Sequence, residues 1–144
     1  MKELIQKLET VEDCRKFVEV FTQLANLARQ RALELQAESH GASDTVEKEL
    51  YQAIYAYEEI LFKKNGKKTR ASRTWQMVKK HGIIETAARA VNRAIEPQGY
   101  QYLVEMGLGN NTFEAVIVKY PNAFSKDVVA HATNRLAGLR DLHP

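Results

Sequence analysis

The stretch VEDCRKFVEVFTQLANLARQRALEL, residues 11–35, decides the fold class of this chain. Apolar or small residues stand at Val11, Cys14, Val18, Phe21, Ala25, Ala28, Ala32 and Leu35, at spacings that alternate three and four. That alternation is the seam of a helix that packs along another helix. A second stripe, Phe17, Val20, Leu24 and Leu27, widens the apolar face over the first half. The helix is therefore expected to bury one face broadly and then narrow to an alanine-rich seam toward Leu35. Thr10 can cap its start, and Glu12 and Asp13 suit the positive end of the helix dipole. Ser39, His40 and Gly41 mark its end, with glycine supplying the left-handed cap. Periodicity leaves two covers open: the rest of the same domain, or a second copy of the chain, for which the three alanines would allow close approach.

Working outward, Ser43 and Asp44 open a second helix with Glu47 placed for a capping box. Val46, Leu50, Ile54, Tyr57 and Leu61 form its expected inner face, with Glu47, Glu58 and Glu59 pointing out. Asn65-Gly66 stops it. Ser72 is the expected cap of a third helix that turns Ala71, Trp75 and Val78 inward, and Gly82 interrupts it. A further helix runs through Ala87, Ala88, Val91 and Ile95, and Glu96-Pro-Gln-Gly99 is expected to close it. Tyr100–Met106 reads as a short helix ended by Gly107 and Gly109. Phe113–Tyr120 has a helical face in Phe113, Val116, Ile117 and Tyr120, although Ala115-Val-Ile-Val118 is β-branched enough for a strand. With no partner strand elsewhere, helix is the expectation. Ser125 caps a last helix burying Val128, Val129, Ala132, Leu136 and Leu139. The fold class that follows is all-α: a helical bundle with a long N-terminal amphipathic helix followed by four or five shorter ones after the second, in one domain over 1–144.

The 144 residues suffice for one core without staples. One cysteine, Cys14, excludes an internal disulfide framework and fits a reducing compartment, where it reads as a small core residue. Met1–Leu8 carries Lys2, Glu3 and Lys7 and no apolar run, and nothing approaches a membrane span. The expectation is a cytoplasmic protein with no membrane partner.

The stretch from Gly66 to Tyr120 resembles a group of short bacterial proteins to which no activity is attached. The residues that carry this are Thr69-Arg-Ala-Ser-Arg-Thr-Trp-Gln-Met77, His81-Gly-Ile-Ile84 and Leu103-Val-Glu-Met-Gly107. The resemblance implies a bacterial origin and no functional residue.

The net charge of +3 hides an asymmetry. Lys63, Lys64, Lys67, Lys68, Arg70, Arg73, Lys79, Lys80, Arg89 and Arg93 face one acid, Glu85, so residues 63–93 carry +9 and the remainder −6. Such an asymmetry speaks to partners. Arg73, Gln76 and Lys80 would share the outer face of the third helix, with Arg70, Lys67 and Lys68 beside its N-terminus, a natural phosphate position. Arg and Lys displace counterions from nucleic acid, and Gln can read a base edge. Gly82 between short helices suggests a helix-turn-helix with Met77, Ile83, Ala88 and Val91 inside, although Ile84-Glu85-Thr86 is a poor start for a recognition helix. A solvated face balancing acidic helices explains the same charges. Trp75, Tyr100 and Tyr102 could stack on bases, but Trp75 fits the core better.

No chelating pair links His40, His81, His131 and His143, so no metal or other cofactor is expected. Asp127 and His131 at i, i+4 suit a surface pair, and Glu105 and Glu114 flank a Gly- and Asn-rich turn. An enzyme would need a buried polar cluster around His81, His131 or Glu114. The leading expectation is a non-catalytic binding protein meeting DNA or RNA through Arg70, Arg73, Gln76, Lys79 and Lys80, assisted by the other basic residues. The alternative is an assembly protein that dimerises along Val11–Leu35 and docks an acidic protein.

Overall fold

The computed structural model describes residues 1–42, 44–93 and 96–142. Among them stand eight α-helices and no strand: α1 Lys2–Gln6, α2 Val11–Glu38, α3 Thr45–Asn65, α4 Ser72–His81, α5 Ile83–Ala90, α6 Pro97–Glu105, α7 Phe113–Lys119 and α8 Lys126–Leu142. A 3-10 turn, Pro121–Ala123, links the last two. The all-α bundle and its long amphipathic helix are as expected, with five shorter helices after α3 and the short α1 as the one addition.

The caps explain most boundaries. Thr10 Oγ1 accepts from the Asp13 amide at 3.0 Å, Asp44 Oδ1 from Glu47 at 2.7 Å and Thr112 Oγ1 from Ala115 at 3.0 Å. Ser125 Oγ accepts from the Val128 amide at 3.3 Å. Each satisfies one of the amides a helix start leaves unpaired. Ser43 lies outside the described residues, as do Ile95 and His143.

Two boundaries differ from expectation. Ser72 is the first residue of α4 rather than its cap; Ala71 holds the cap position and offers no side chain. Glu96-Pro-Gln-Gly99 starts α6 instead of closing α5, which ends at Ala90. Pro97 sits at N1, where a missing amide costs nothing and the fixed φ suits the helix. The β-branched run 115–118 is helical, in α7.

Two apolar clusters form the interior. One gathers Leu50, Ile54, Ala71, Ile83, Ala87, Val91, Val116, Ile117 and Ala132 from α3, the residue before α4, α5 and the residue after it, α7 and α8. The other joins Leu33 of α2 to Ala56, Ile60, Leu103 and Leu108. α3 serves both clusters, which is why Ala53, Ala56 and Ile60 are buried beside the expected Leu50 and Ile54. Tyr57, expected inside, is exposed. Trp75, Val78, Val128 and Val129 are half-buried at the margin of the first cluster, and Ala132, Leu136 and Leu139 of α8 are buried.

α2 contradicts its expected burial. Only Leu33 and Ala37, each 1% exposed, are buried along its 28 residues. They pack toward α3, with Gln30 Nε2 donating to Gln52 Oε1 at 3.3 Å. Asn26 adds a contact with the turn after α6. A Cβ on Gly107 would lie 2.6 Å from Asn26 Cγ, and φ there is +72°, so both space and backbone require glycine. N-terminal to Asn26, every α2 residue except the half-buried Phe17 is exposed.

Candidate functional site

The eight seam residues of α2, Val11 through Leu35, are all exposed, Cys14 among them. Val18 is 64% exposed, Phe21 49%, Leu24 53% and Leu27 66%. The reason is rotational. At about 100° per residue, Leu24 and Leu33 are two and a half turns apart and point to opposite sides. Leu33, Ala37, Gln30 and Asn26 use the side that meets α3 and Gly107; the seam and the second stripe take the other. The wide apolar face was legible, and of the two covers left open the rest of the chain does not supply one, because a polar-flanked minor face does the packing. Along the free half Phe17 and Phe21 stack on each other, with centroids 4.2 Å apart and planes at 22°. Cys14, expected in the core, lies on this exposed face.

The basic segment spreads over the end of α3, the 66–71 loop, α4 and α5, and all ten cations are exposed. Arg73, Gln76, Lys79 and Lys80 are exposed on α4, and Lys67 and Lys68 on the loop. Four cations have partners. Lys64 Nζ is 3.2 Å from Glu96 Oε2, and Arg89 Nε is 2.9 Å from Glu85 Oε1. Arg70 lies over Trp75 at 5.4 Å and Lys63 over Tyr102 at 5.6 Å. Surface pairs of this kind contribute little and exchange readily.

The expected phosphate position at the start of α4 already holds a carboxylate. Glu58 Oε2 accepts from the Ala71 amide and from Trp75 Nε1, each at 2.8 Å. Glu58 is half-buried and ties α4 to α3 instead of facing out. Its negative charge at the helix start works against a second anion there.

Of the three rings expected to stack on bases, Tyr102 is half-buried with Lys63 over it, and the other two are built into the fold. Tyr100 is buried at 4% exposure. Trp75 joins a group the sequence did not reveal. The His40 ring stacks on Tyr51 at 4.2 Å and on Trp75 at 5.1 Å, and His40 Nε2 is 2.7 Å from the Tyr55 hydroxyl. Desolvation, with Arg70 assisting, holds the His40 pKa below its ordinary value. This group fastens the α2–α3 loop to α4. In the helix-turn-helix comparison, Ile83 and Val91 are buried, Met77 and Ala88 half-buried, and the outer face of the eight-residue α5 spends Arg89 on Glu85.

Of the polar residues considered for chemistry, His81 is half-buried and His131 exposed, with no Asp127–His131 ion pair among the described residues. Glu105 is exposed and bonded to Gln101, so it does not converge with Glu114. Glu114 is 2% exposed; its Oε1 is 3.7 Å from Arg135 Nε, and Arg135 Nη1 donates to the Val91 carbonyl. Burial raises the Glu114 pKa, against the opposing pull of its own amide, Arg135 and His131. Among the described residues no three His, Cys, Asp or Glu side chains gather as a metal site, and no helix is long and apolar enough to cross a membrane.

No protein-family model matches the sequence, and no curated protein or solved structure matches it either.

Proposed function

We propose that this chain is a binding protein that assembles with a second copy of itself along the outer seam of α2. The observation that carries the reading is the exposure of all eight seam residues on a face turned away from the rest of the chain. A folded monomer of 16.4 kDa exposes about 7500 Å² by the usual scaling of surface with mass. This chain exposes 9591 Å². The surplus, roughly 2000 Å², exceeds the roughly 800 Å² that each partner contributes to a standard interface.

Residue sizes argue for antiparallel pairing. A parallel, in-register pair would stack Phe21 on Phe21 and Ala25 on Ala25, forcing the axes apart at one end and leaving gaps at the other. Antiparallel pairing centred on Gln23 sets Phe21 against Ala25, Val18 against Ala28 and Cys14 against Ala32. Each of these layers then holds one larger side chain and one alanine, Val11 meets Leu35 at the ends, and Leu24 meets its own copy at the flank.

Sedimentation velocity across a concentration series tests assembly, with Phe21→Glu/Leu24→Glu expected to leave a folded monomer. Native protein that stays monomeric at high concentration rejects the reading. Cys14 reports orientation. In the antiparallel pair the two Cys14 residues lie about 27 Å apart along the axis, so mild oxidation leaves the native chain uncrosslinked. Ala32→Cys places a thiol opposite Cys14 and is expected to yield a crosslinked dimer. Crosslinking of the native chain through Cys14 points to parallel pairing.

A second reading rests on a separate observation: all the cations from Lys63 to Arg93 are exposed, with Glu85 the one acid among them. That surface suits a polyanion, either DNA or RNA held through phosphates or an acidic protein, and two copies would double it. Fluorescence anisotropy with labelled DNA and RNA at about 50 and 200 mM salt is the test, because phosphate-driven affinity falls steeply over that range. Arg73→Glu/Lys80→Glu is expected to abolish binding without unfolding. Unchanged affinity would reject this surface as the binding site, and no binding even at low salt would leave the charges to an acidic protein or to solvent.

A further inference from the structure

Between the two core clusters lies a cleft of about 350 Å³, bounded by α3, α4, α5, α6 and the start of α7. Its position follows from the packing. Ile54 belongs to one cluster and Leu103 to the other, and the gap between them is lined by the small residues Ala53, Ala90 and Gly99 from three different helices. None of these can reach across, so apolar surface is left facing an unfilled space. Leu61 and Phe113 complete the apolar wall. The volume is at the lower end of the range for small-molecule sites, which are mostly apolar with a few convergent polar groups.

Three cations and two acids line the cleft; of the acids, Glu96 is engaged with Lys64, and the buried Glu114 has Arg135 beside it. Arg73 of α4 and Arg93, after α5, line the cleft from different elements. Both are exposed, and neither guanidinium has a hydrogen bond or ion pair among the described residues. Lys64 lines it too, but is engaged with Glu96. The Thr86 hydroxyl gives its proton to the Gly82 carbonyl, and the Thr112 oxygen accepts from the Ala115 amide, so each already serves the backbone. Two unengaged planar forks beside an apolar floor are the donor set for a carboxylate on an apolar body. A neutral head would leave both guanidinium groups unused, and a cationic head would pair with neither.

We propose that this cleft binds a small amphipathic carboxylate, its head held by Arg73 and Arg93 and its body laid on Ile54, Leu61, Leu103 and Phe113. The site is separate from the α2 seam, and its occupation does not depend on assembly. It shares Arg73 and Arg93 with the polyanion surface, so the two uses would compete.

The test is titration calorimetry of the full chain with three probes of one body and three heads: 4-phenylbutyrate, 4-phenylbutanol and 4-phenylbutylamine. The carboxylate is expected to bind about tenfold or more tightly than the alcohol, the size of a charge-assisted hydrogen bond, and the amine not at all. Arg73→Gln/Arg93→Gln, both at exposed positions, should erase the preference for carboxylate. Ala90→Phe should fill the cleft and abolish binding of every probe; if that variant does not fold, the arginine pair still decides. Amide shift perturbations in the native chain should centre on Leu103 and Phe113. Equal affinity for carboxylate and alcohol, a preference that survives the arginine changes, shifts centred on Phe21 and Leu24, or no binding of any probe would each overturn the proposal.

Discussion

α2 and α3 are both long amphipathic helices, joined by a short loop and packed on each other, yet they are used in opposite ways. α3 buries five of its 21 residues and feeds two apolar clusters, while α2 buries two of 28. The difference is not one of apolar content. α2 offers Phe17, Val20, Phe21, Leu24 and Leu27 within eleven positions. α3 is enclosed because its apolar residues occur on two sides, Leu50 and Ile54 facing α5 and α7, Ala56 and Ile60 facing Leu33 and Leu103. α2 meets its neighbour through the weaker of its two faces and leaves the stronger one in solvent. Amphipathic periodicity states that a face will be covered; it does not state by what.

The largest expected effect comes from truncating one leucine-sized side chain on each helix. Ile54→Ala removes a side chain that is 1% exposed at the centre of the first cluster. It should cost about 2–5 kcal/mol of folding stability, at any protein concentration. Leu24→Ala should leave the stability of dilute protein nearly unchanged and lower it only at concentrations where copies associate, since assembly stabilises by mass action. Chemical denaturation at two widely separated protein concentrations makes the comparison. A loss for Leu24→Ala in dilute protein as large as that for Ile54→Ala would mean that the chain covers α2 itself, and the contrast between the helices would fail.

That contrast also marks how far the sequence could be read. The caps at Thr10, Asp44 and Ser125 were legible because a cap is a local interaction, settled within three residues. The helical state of 115–118 was legible for a related reason: a strand needs a partner and none was in sight. Pro97 misled because proline both ends and begins helices, and its own position within the turn decides which. Glu58 looked like a surface carboxylate because its partners, the Ala71 amide and the Trp75 indole, lie 13 and 17 residues away. The cleft could not be read at all. It is made by what Ala53, Ala90 and Gly99 lack, and those three are brought together only by the fold. The basic residues were found where expected, on the surface, but their count could not reveal that Glu58 occupies the helix start they were meant to serve.

The smallest expected effect tests the joint between the two helices. His40 follows α2 directly and is held by rings from α3 and α4: stacked on Tyr51 and Trp75, bonded to the Tyr55 hydroxyl, and with the Arg70 guanidinium near. Desolvation comes first and Arg70 second in disfavouring the imidazolium. The folded-state pKa therefore lies below the unfolded value of about 6.5. A group shifted in this direction contributes stability that is complete above the unfolded pKa and is lost as pH falls through the folded one. Lowering the pH from about 7.5 to 5 should thus weaken the fold slightly through His40, and the ring is exposed enough that solvent screening keeps the effect small. The decisive quantity is a difference between variants, because carboxylates elsewhere also begin to titrate near pH 5. His40→Gln, which keeps a hydrogen-bonding group beside Tyr55 and cannot titrate, should show a smaller drop in melting temperature over this range than the native chain. The seam of α2 carries no histidine, so assembly measured by sedimentation should change little over the part of this interval above pH 6. Identical pH dependence in the native and His40→Gln proteins would show that the ring cluster fastens α2 to α3 through packing alone, without any stake in the charge of the imidazole.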